Sequence, residues 1–152
     1  MKKFKFTLES YLKTKEREKD KKIEELNLLK VREIEILELI ELINSEKVDI
    51  ENKSIENLKN GVCSEALNHF ALCISENNIE LKYEKEKLHE IQNMLKQKQD
   101  ELKKIMGEIK SIEKIKEKQY EMYLEELKKE TEKTTEEFLN SNKKNDEIKV
   151  KF

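Results

Sequence analysis

A long heptad repeat runs through Leu67–Ile112, which reads LNHFALCISENNIELKYEKEKLHEIQNMLKQKQDELKKIMGEIKSI. Counted in alternating steps of three and four residues, every position is apolar except Asn77, Glu84 and Lys98. A repeat of about 3.5 residues sustained over such a length is typical of a long helix that buries a narrow seam against another helix. The seam positions are Leu67, Phe70, Ile74, Asn77, Leu81, Glu84, Leu88, Ile91, Leu95, Lys98, Leu102, Ile105, Ile109 and Ile112.

The composition favours helical stripes over a layered core. Of the 152 residues, 43% are charged and 36% are hydrophobic, with no proline and two glycines. Globular domains carry about 25% charged residues, so we expect an extended rod. The net charge of -2 comes from 32 basic and 34 acidic residues that are finely mixed along the chain. This mixture offers no basic patch, and we therefore expect no nucleic-acid partner.

A chain reversal is predicted at Asn60-Gly61, because glycine readily takes the left-handed conformation that ends a helix. The predicted fold class is all-α: an antiparallel two-helix coiled-coil hairpin with a longer second helix. A turn at this place brings Leu26 near Leu95. The predicted segments are a flexible N-terminus at 1–6, helix 1 at about 7–57, a turn at 58–64, helix 2 at about 65–139 and a flexible tail at 140–152.

Helix 1 carries a wide apolar arc between Ile34 and Ile43. Apolar pairs alternate there with single glutamates, which crowd into about a third of the helix circumference. Ile36, Ile40 and Ile43 can fill a two-helix seam, whereas Leu37, Leu39 and Leu42 flank it and have no cover in a simple hairpin. Two interpretations are open: a thicker core or dimer contact, or a docking surface for another protein.

Two further mismatches are expected between the helices. The polar stretch Lys13–Lys22 faces apolar seam residues of helix 2, so the seam is weak there and open to completion by a partner. Helix 2 also extends beyond helix 1 by about twenty residues, and its apolar residues from Tyr120 to Leu127 have no intrachain partner. A bare apolar stripe indicates a binding site or a disordered segment.

The sequence contains no recognisable catalytic or cofactor-binding pattern. His69 and His89 are isolated, and Cys63 and Cys73 lack the spacing of a metal clamp and indicate free thiols. The glycines stand alone, so there is no phosphate-binding loop. We therefore predict a non-enzyme with no cofactor, no metal and no small-molecule substrate. Without a signal-like N-terminus or an apolar run that could span a membrane, a cytoplasmic location is expected.

Three local patterns occur in order along nearly the whole chain. Residues 4–12 read FKFTLESYL, residues 60–64 read NGVCS ahead of Phe70, and residues 112–118 read IEKIKEK ahead of Tyr120 and Tyr123. Together they resemble the FliJ family of the flagellar type III export apparatus. That family opens with F-x-F-x-L-E-x-x-L and carries an L-E-K-L-K-E-K segment with a trailing tyrosine.

The resemblance implies an antiparallel two-helix coiled coil that couples two larger partners. One is the export ATPase, a FliI-like hexameric ring, and the other is the membrane export gate, an FlhA-like protein. The family also assists export chaperones, and its members lie peripherally at the inner face of the cell membrane. The implied ATPase-binding residues, near the chain termini, are Phe4, Phe6, Leu8, Tyr11, Tyr120, Tyr123 and Leu127. The implied gate-binding residues, near the turn, are Leu39, Ile43, Phe70 and Cys73.

Two alternative functions are kept beside this one. A holdase chaperone of the prefoldin kind also uses helical hairpins, but it needs strand-forming residues between the helices, and residues 60–64 are too few for that. A generic structural coiled coil would form a parallel dimer along the whole chain. The reversal at Gly61 disfavours such a dimer, although a dimer of hairpins stays open.

Overall fold

The computed structural model describes residues 2–61 and 63–150, which form two helices. α1 spans Glu9–Lys59, 51 residues, and α2 spans Ser64–Val150, 87 residues. The helices pack against each other, and no strand occurs in the described ranges. Lys22 of α1 pairs with Glu101 of α2, and Glu25 pairs with Lys98, so the two helices run antiparallel. The predicted all-α hairpin with a longer second helix is confirmed.

The chain reverses at Gly61, as predicted. Gly61 has a φ of 77°, which lies in the left-handed region that residues with a Cβ avoid. The N–H of Asn60 donates to the carbonyl oxygen of Glu56 at 3.2 Å, so the last turn of α1 closes just before the reversal. A Cβ on Gly61 would meet no atom within 4 Å. The backbone angle, and not crowding, is therefore what favours glycine here.

The helix ends differ from the predicted ones, most of all at the end of α2. The predicted end at about residue 139 was wrong, because α2 continues to Val150. No proline or glycine follows Gly107, and nothing else in the sequence forces a helix to stop. Every residue from 128 to 150 is exposed, so this part of α2 has no tertiary cover among the described residues. The flexibility expected of the tail stays a prediction.

Parts of the predicted segments lie outside the described residues. These are Met1 in the N-terminal segment, Val62 in the turn, and Lys151 and Phe152 in the tail.

The chain divides into two units by its internal packing. The central unit is Glu18–Lys104, and the terminal unit is Met1–Arg17 together with Ile105–Phe152. Within the central unit, Leu26 and Leu95 are buried in one cluster. This cluster confirms the predicted proximity of the two leucines. Its other members are Leu29, Ile91 and Leu102.

Every predicted seam position of α2 is buried or half-buried, including the polar residues Asn77, Glu84 and Lys98. Glu84 is only 6% exposed, and the Nζ of Lys87 lies 3.4 Å from its Oε1. The same ammonium group lies over the ring of Tyr83, 4.4 Å from its centroid. A carboxylate in an apolar seam needs a countercharge, and Lys87 supplies it from the next turn of the same helix.

Ion pairs in the central unit close the seam where the polar stretch of α1 meets α2. The Nζ of Lys22 lies 2.8 Å from Glu101 Oε2, and the Nζ of Lys98 lies 3.1 Å from Glu25 Oε2. The hydrogen bond from Lys98 lowers the pKa of Glu25, and the one from Lys22 lowers the pKa of Glu101. Lysine stems can cover apolar surface while their ammonium groups reach carboxylates. Ion pairs therefore bridge the helices at the end of the polar stretch, and the completion of this seam by a partner stays a prediction.

In the terminal unit, an ion pair also links α1 to α2 at the start of the polar stretch. The Nζ of Lys15 lies 2.9 Å from Glu108 Oε2. The side chain of Lys15 is mostly shielded, so its stem packs in the seam as an apolar residue would.

Candidate partner-binding surfaces

An aromatic cluster in the terminal unit joins the N-terminal segment to α2. The ring of Phe4 lies edge-on to Tyr120, with centroids 5.2 Å apart, and is tilted against Tyr123 at 5.5 Å. Tyr120 and Tyr123 also contact each other, with centroids 6.2 Å apart. The hydroxyl of Tyr123 donates to the carbonyl oxygen of Lys2 at 2.8 Å. We call Phe4, Tyr120 and Tyr123 the aromatic cluster, and residues 2–6 the N-terminal strap.

The strap is also held by a buried core. Phe6 is buried with Leu12, Ile109 and Ile112. Lys116 lies over the ring of Phe6, 5.7 Å from its centroid. Phe6 is therefore a core residue that anchors the strap, and the flexibility expected of the N-terminus stays a prediction. Lys116 also bonds the carboxylate of Glu9 at 3.0 Å, at the start of α1.

The expectation that Tyr120 to Leu127 lack an intrachain partner was also wrong, because Phe4 and Lys2 contact this segment. The strap covers part of the predicted ATPase-binding region and leaves part of it open. Of the predicted ATPase-binding residues, Leu8, Tyr11 and Tyr120 are exposed, Phe4, Tyr123 and Leu127 are half-buried, and Phe6 is buried.

The sequence carried a signal for this packing. Phe4 and Phe6 are two large aromatic side chains in the short, otherwise polar strap before α1, and aromatic side chains contribute large buried area when they pack. Met106 and Ile115 are exposed apolar residues of the terminal unit that the sequence interpretation did not assign to a site, and Met122 and Leu124, which lie in its predicted bare stripe, are exposed as well.

The predicted gate-binding residues lie in the central unit, and one of them belongs to the core. Ile43 is 2% exposed, so it fills the seam and offers no surface to a partner. Leu39, Phe70 and Cys73 are half-buried. Leu37 and Leu42, which the sequence indicated as uncovered, are exposed. The arc predicted from Ile34 to Ile43 therefore does leave apolar surface open, although Ile43 is not part of that surface.

Sequence interpretation missed a longer apolar stripe on α1. Four exposed residues follow one another at steps of three: Leu28, Val31, Ile34 and Leu37. In a helix, consecutive members at this spacing are neighbours, and the row of four winds around about half of the helix. The heptad count could have found them, since none occupies a seam position.

A thiol and an imidazole lie one helical turn apart near the start of α2. The Sγ of Cys73 is 3.8 Å from the Nε2 of His69, and the imidazole of His69 is exposed. Cys63 is exposed and Cys73 is half-buried, and both are free thiols. Within the described ranges, no group of three or more His, Cys, Asp or Glu side chains is arranged to hold a metal ion.

Neither helix, over the residues that are described, contains a stretch that is long and apolar enough to cross a membrane. In comparison with known proteins, the chain matches no family model, no curated protein and no solved structure. The resemblance to the FliJ family therefore depends on the residues quoted above and stays a prediction.

Proposed function

We propose that this chain is a non-enzymatic component of the flagellar protein export apparatus. In this role it couples a FliI-like ATPase ring to an FlhA-like export gate and assists export chaperones. The observation that supports the proposal most is the aromatic cluster. It packs the N-terminal strap on α2 and leaves Tyr120 exposed there. The antiparallel hairpin is the architecture that the sequence resemblance implies.

In this proposal the ATPase ring binds the exposed residues of the terminal unit. Tyr11 and Tyr120 are the strongest candidates, since tyrosine contributes large contact area at low entropic cost and is enriched in binding hot spots. Phe6 supports them from the core, and Phe4 and Tyr123 hold the ring of Tyr120 in place. The half-buried Leu127 and the exposed Leu8 border the same region.

The gate would bind the central unit near the turn. Leu39, Phe70 and Cys73 present partial surface, and Leu37 and Leu42 add exposed apolar area beside them. The protein would then be cytoplasmic and peripheral at the inner face of the membrane, where the gate resides.

The test is binding to, and activation of, a purified flagellar export ATPase from the same organism. The wild-type chain should bind the hexamer and raise its rate of ATP hydrolysis. Tyr11→Ser should weaken binding by about tenfold, which corresponds to roughly 1.4 kcal/mol. Met94→Ser is a matched control, because Met94 and Tyr11 are both 49% exposed and Met94 lies in the central unit. Absence of binding and activation by the wild-type chain would refute the proposal.

The exposed stripe Leu28, Val31, Ile34 and Leu37 favours a second candidate, a structural coiled coil or a holdase chaperone. An uncovered apolar stripe of this kind can associate with another helix or with an unfolded client. Sedimentation would reveal self-association, and suppression of the aggregation of a denatured client protein would reveal holdase activity. A monomer without holdase activity would exclude this candidate.

A further inference from the structure

His69 and Cys73 occupy positions i and i+4 of α2, so their side chains lie on the same face of the helix. Their donor atoms, Nε2 and Sγ, are 3.8 Å apart. His69 is exposed and Cys73 is half-buried, so the pair lies at the protein surface. Neither side chain belongs to a buried cluster of the hairpin.

The separation of the two donor atoms matches an edge of a metal coordination sphere. Zinc binds sulfur at about 2.3 Å and imidazole nitrogen at about 2.0–2.1 Å, in tetrahedral geometry. These lengths at a tetrahedral angle place the two donors about 3.5–3.6 Å apart. The observed separation differs from this value by a few tenths of an ångström, which side-chain rotation on an exposed helix can absorb.

We propose that His69 and Cys73 form a two-residue site for a thiophilic divalent cation of the zinc and cadmium class. On binding, the S–H bond of Cys73 breaks, a sulfur–metal bond forms and the proton goes to the buffer; no atom changes oxidation state. The neutral imidazole of His69 supplies the second ligand through Nε2.

Water completes the coordination sphere. No third His, Cys, Asp or Glu in the described ranges joins the pair to make a larger metal-binding group. The site is consequently open and exchangeable, unlike a structural zinc site with four protein ligands. A bound cation also links successive turns of α2 close to its first residue, so it should reduce fraying there.

Cadmium titration of the full chain tests the site directly, because cadmium–thiolate bonds absorb in the ultraviolet and zinc can then be tested by displacement. The wild-type chain, kept reduced without a competing thiol, should develop this absorbance as cadmium binds, and excess zinc should remove it. Cys73→Ser should abolish the absorbance. His69→Gln should weaken cadmium binding by about tenfold or more, since one of the two protein ligands is lost.

The chain offers a matched control for each variant. Cys63→Ser removes the other thiol, and His89→Gln removes the other histidine, which is also exposed on α2. Both control variants should titrate as the wild type does. The proposal is overturned if Cys63→Ser removes the absorbance and Cys73→Ser does not, or if His69→Gln binds cadmium as tightly as His89→Gln. These readouts involve no ATPase or gate, so their outcome is independent of the proposed export function.

Discussion

Replacing Phe4 with alanine tests whether the N-terminal strap is held by the aromatic cluster. The ring of Phe4 contacts both Tyr120 and Tyr123, and it also packs against the buried core around Phe6. Phe4→Ala removes all of these contacts at once. Because the strap is terminal, it can detach without unfolding either helix, so the effect should be local.

The size of the effect follows from the burial of the ring. Truncation of a fully buried phenylalanine costs about 3–5 kcal/mol, and Phe4 is half-buried, so about 2 kcal/mol is expected. The aromatic pairing alone accounts for roughly 0.5–1.5 kcal/mol of this. A loss of about 2 kcal/mol raises the population of the detached strap about thirtyfold, at 1.4 kcal/mol per factor of ten.

Amide hydrogen exchange is the appropriate assay, since it reports local opening. The N–H of Glu9 bonds the carbonyl oxygen of Phe6 at 3.2 Å, so its exchange follows the detachment of the strap. Phe4→Ala should accelerate that exchange about thirtyfold when opening and closing are fast. Phe138→Ala is the matched control, because Phe138 is 66% exposed on the uncovered part of α2. Equal exchange rates in the two variants would refute the assignment of the strap as a packed element.

Three other predictions concern stability and can be checked by urea unfolding. Gly61→Ala should destabilise the hairpin by about 1–2 kcal/mol through its left-handed φ, whereas Gly107→Ala, at a helical site where a Cβ meets nothing, should stabilise it by about 1 kcal/mol. The free energy of unfolding should fall as the pH drops below 4.5, the ordinary pKa of Glu25 and Glu101. The pKa of each carboxyl group is lowered in the folded chain, so the unfolded chain takes up protons first. Replacing both residues with Gln should flatten this fall. Truncation after Glu130 should leave the urea midpoint unchanged, since every later described residue is exposed, and a lower midpoint would reveal a contact made by the tail.

The seam of α2 could be predicted residue by residue, for a simple physical reason. A heptad repeat is local, so counting along the sequence places each side chain on a helix face without knowledge of the partner. Even Glu84, which a hydrophobicity criterion would reject, is buried where the repeat puts it. The reversal at Gly61 was equally local, because it depends on the conformational freedom of one residue.

The strap and the end of α2 were harder to predict because neither depends on a repeat. The contact between Phe4 and Tyr120 joins residues that are far apart in sequence, and no periodic pattern in the sequence predicts it. The end of α2 at Val150 lies in a polar region without a stop signal. The first of these errors affected the candidate site, because the sequence interpretation assumed a bare overhang where the strap contacts Tyr123.

Charge placement in the central unit explains why the hairpin selects one register from several that would satisfy the heptad repeat. In the observed register, Lys22 meets Glu101 and Glu25 meets Lys98. A slip of one heptad of α2 in either direction keeps apolar residues in the seam but places Glu25 opposite an isoleucine, Ile91 or Ile105. In a slipped register Glu25 would keep Lys22, its neighbour on α1 at 3.6 Å, but would lose the closer pair with Lys98 at 3.1 Å. The ion pairs between the helices therefore favour the observed register over one slipped by a heptad, as polar residues in coiled-coil seams do.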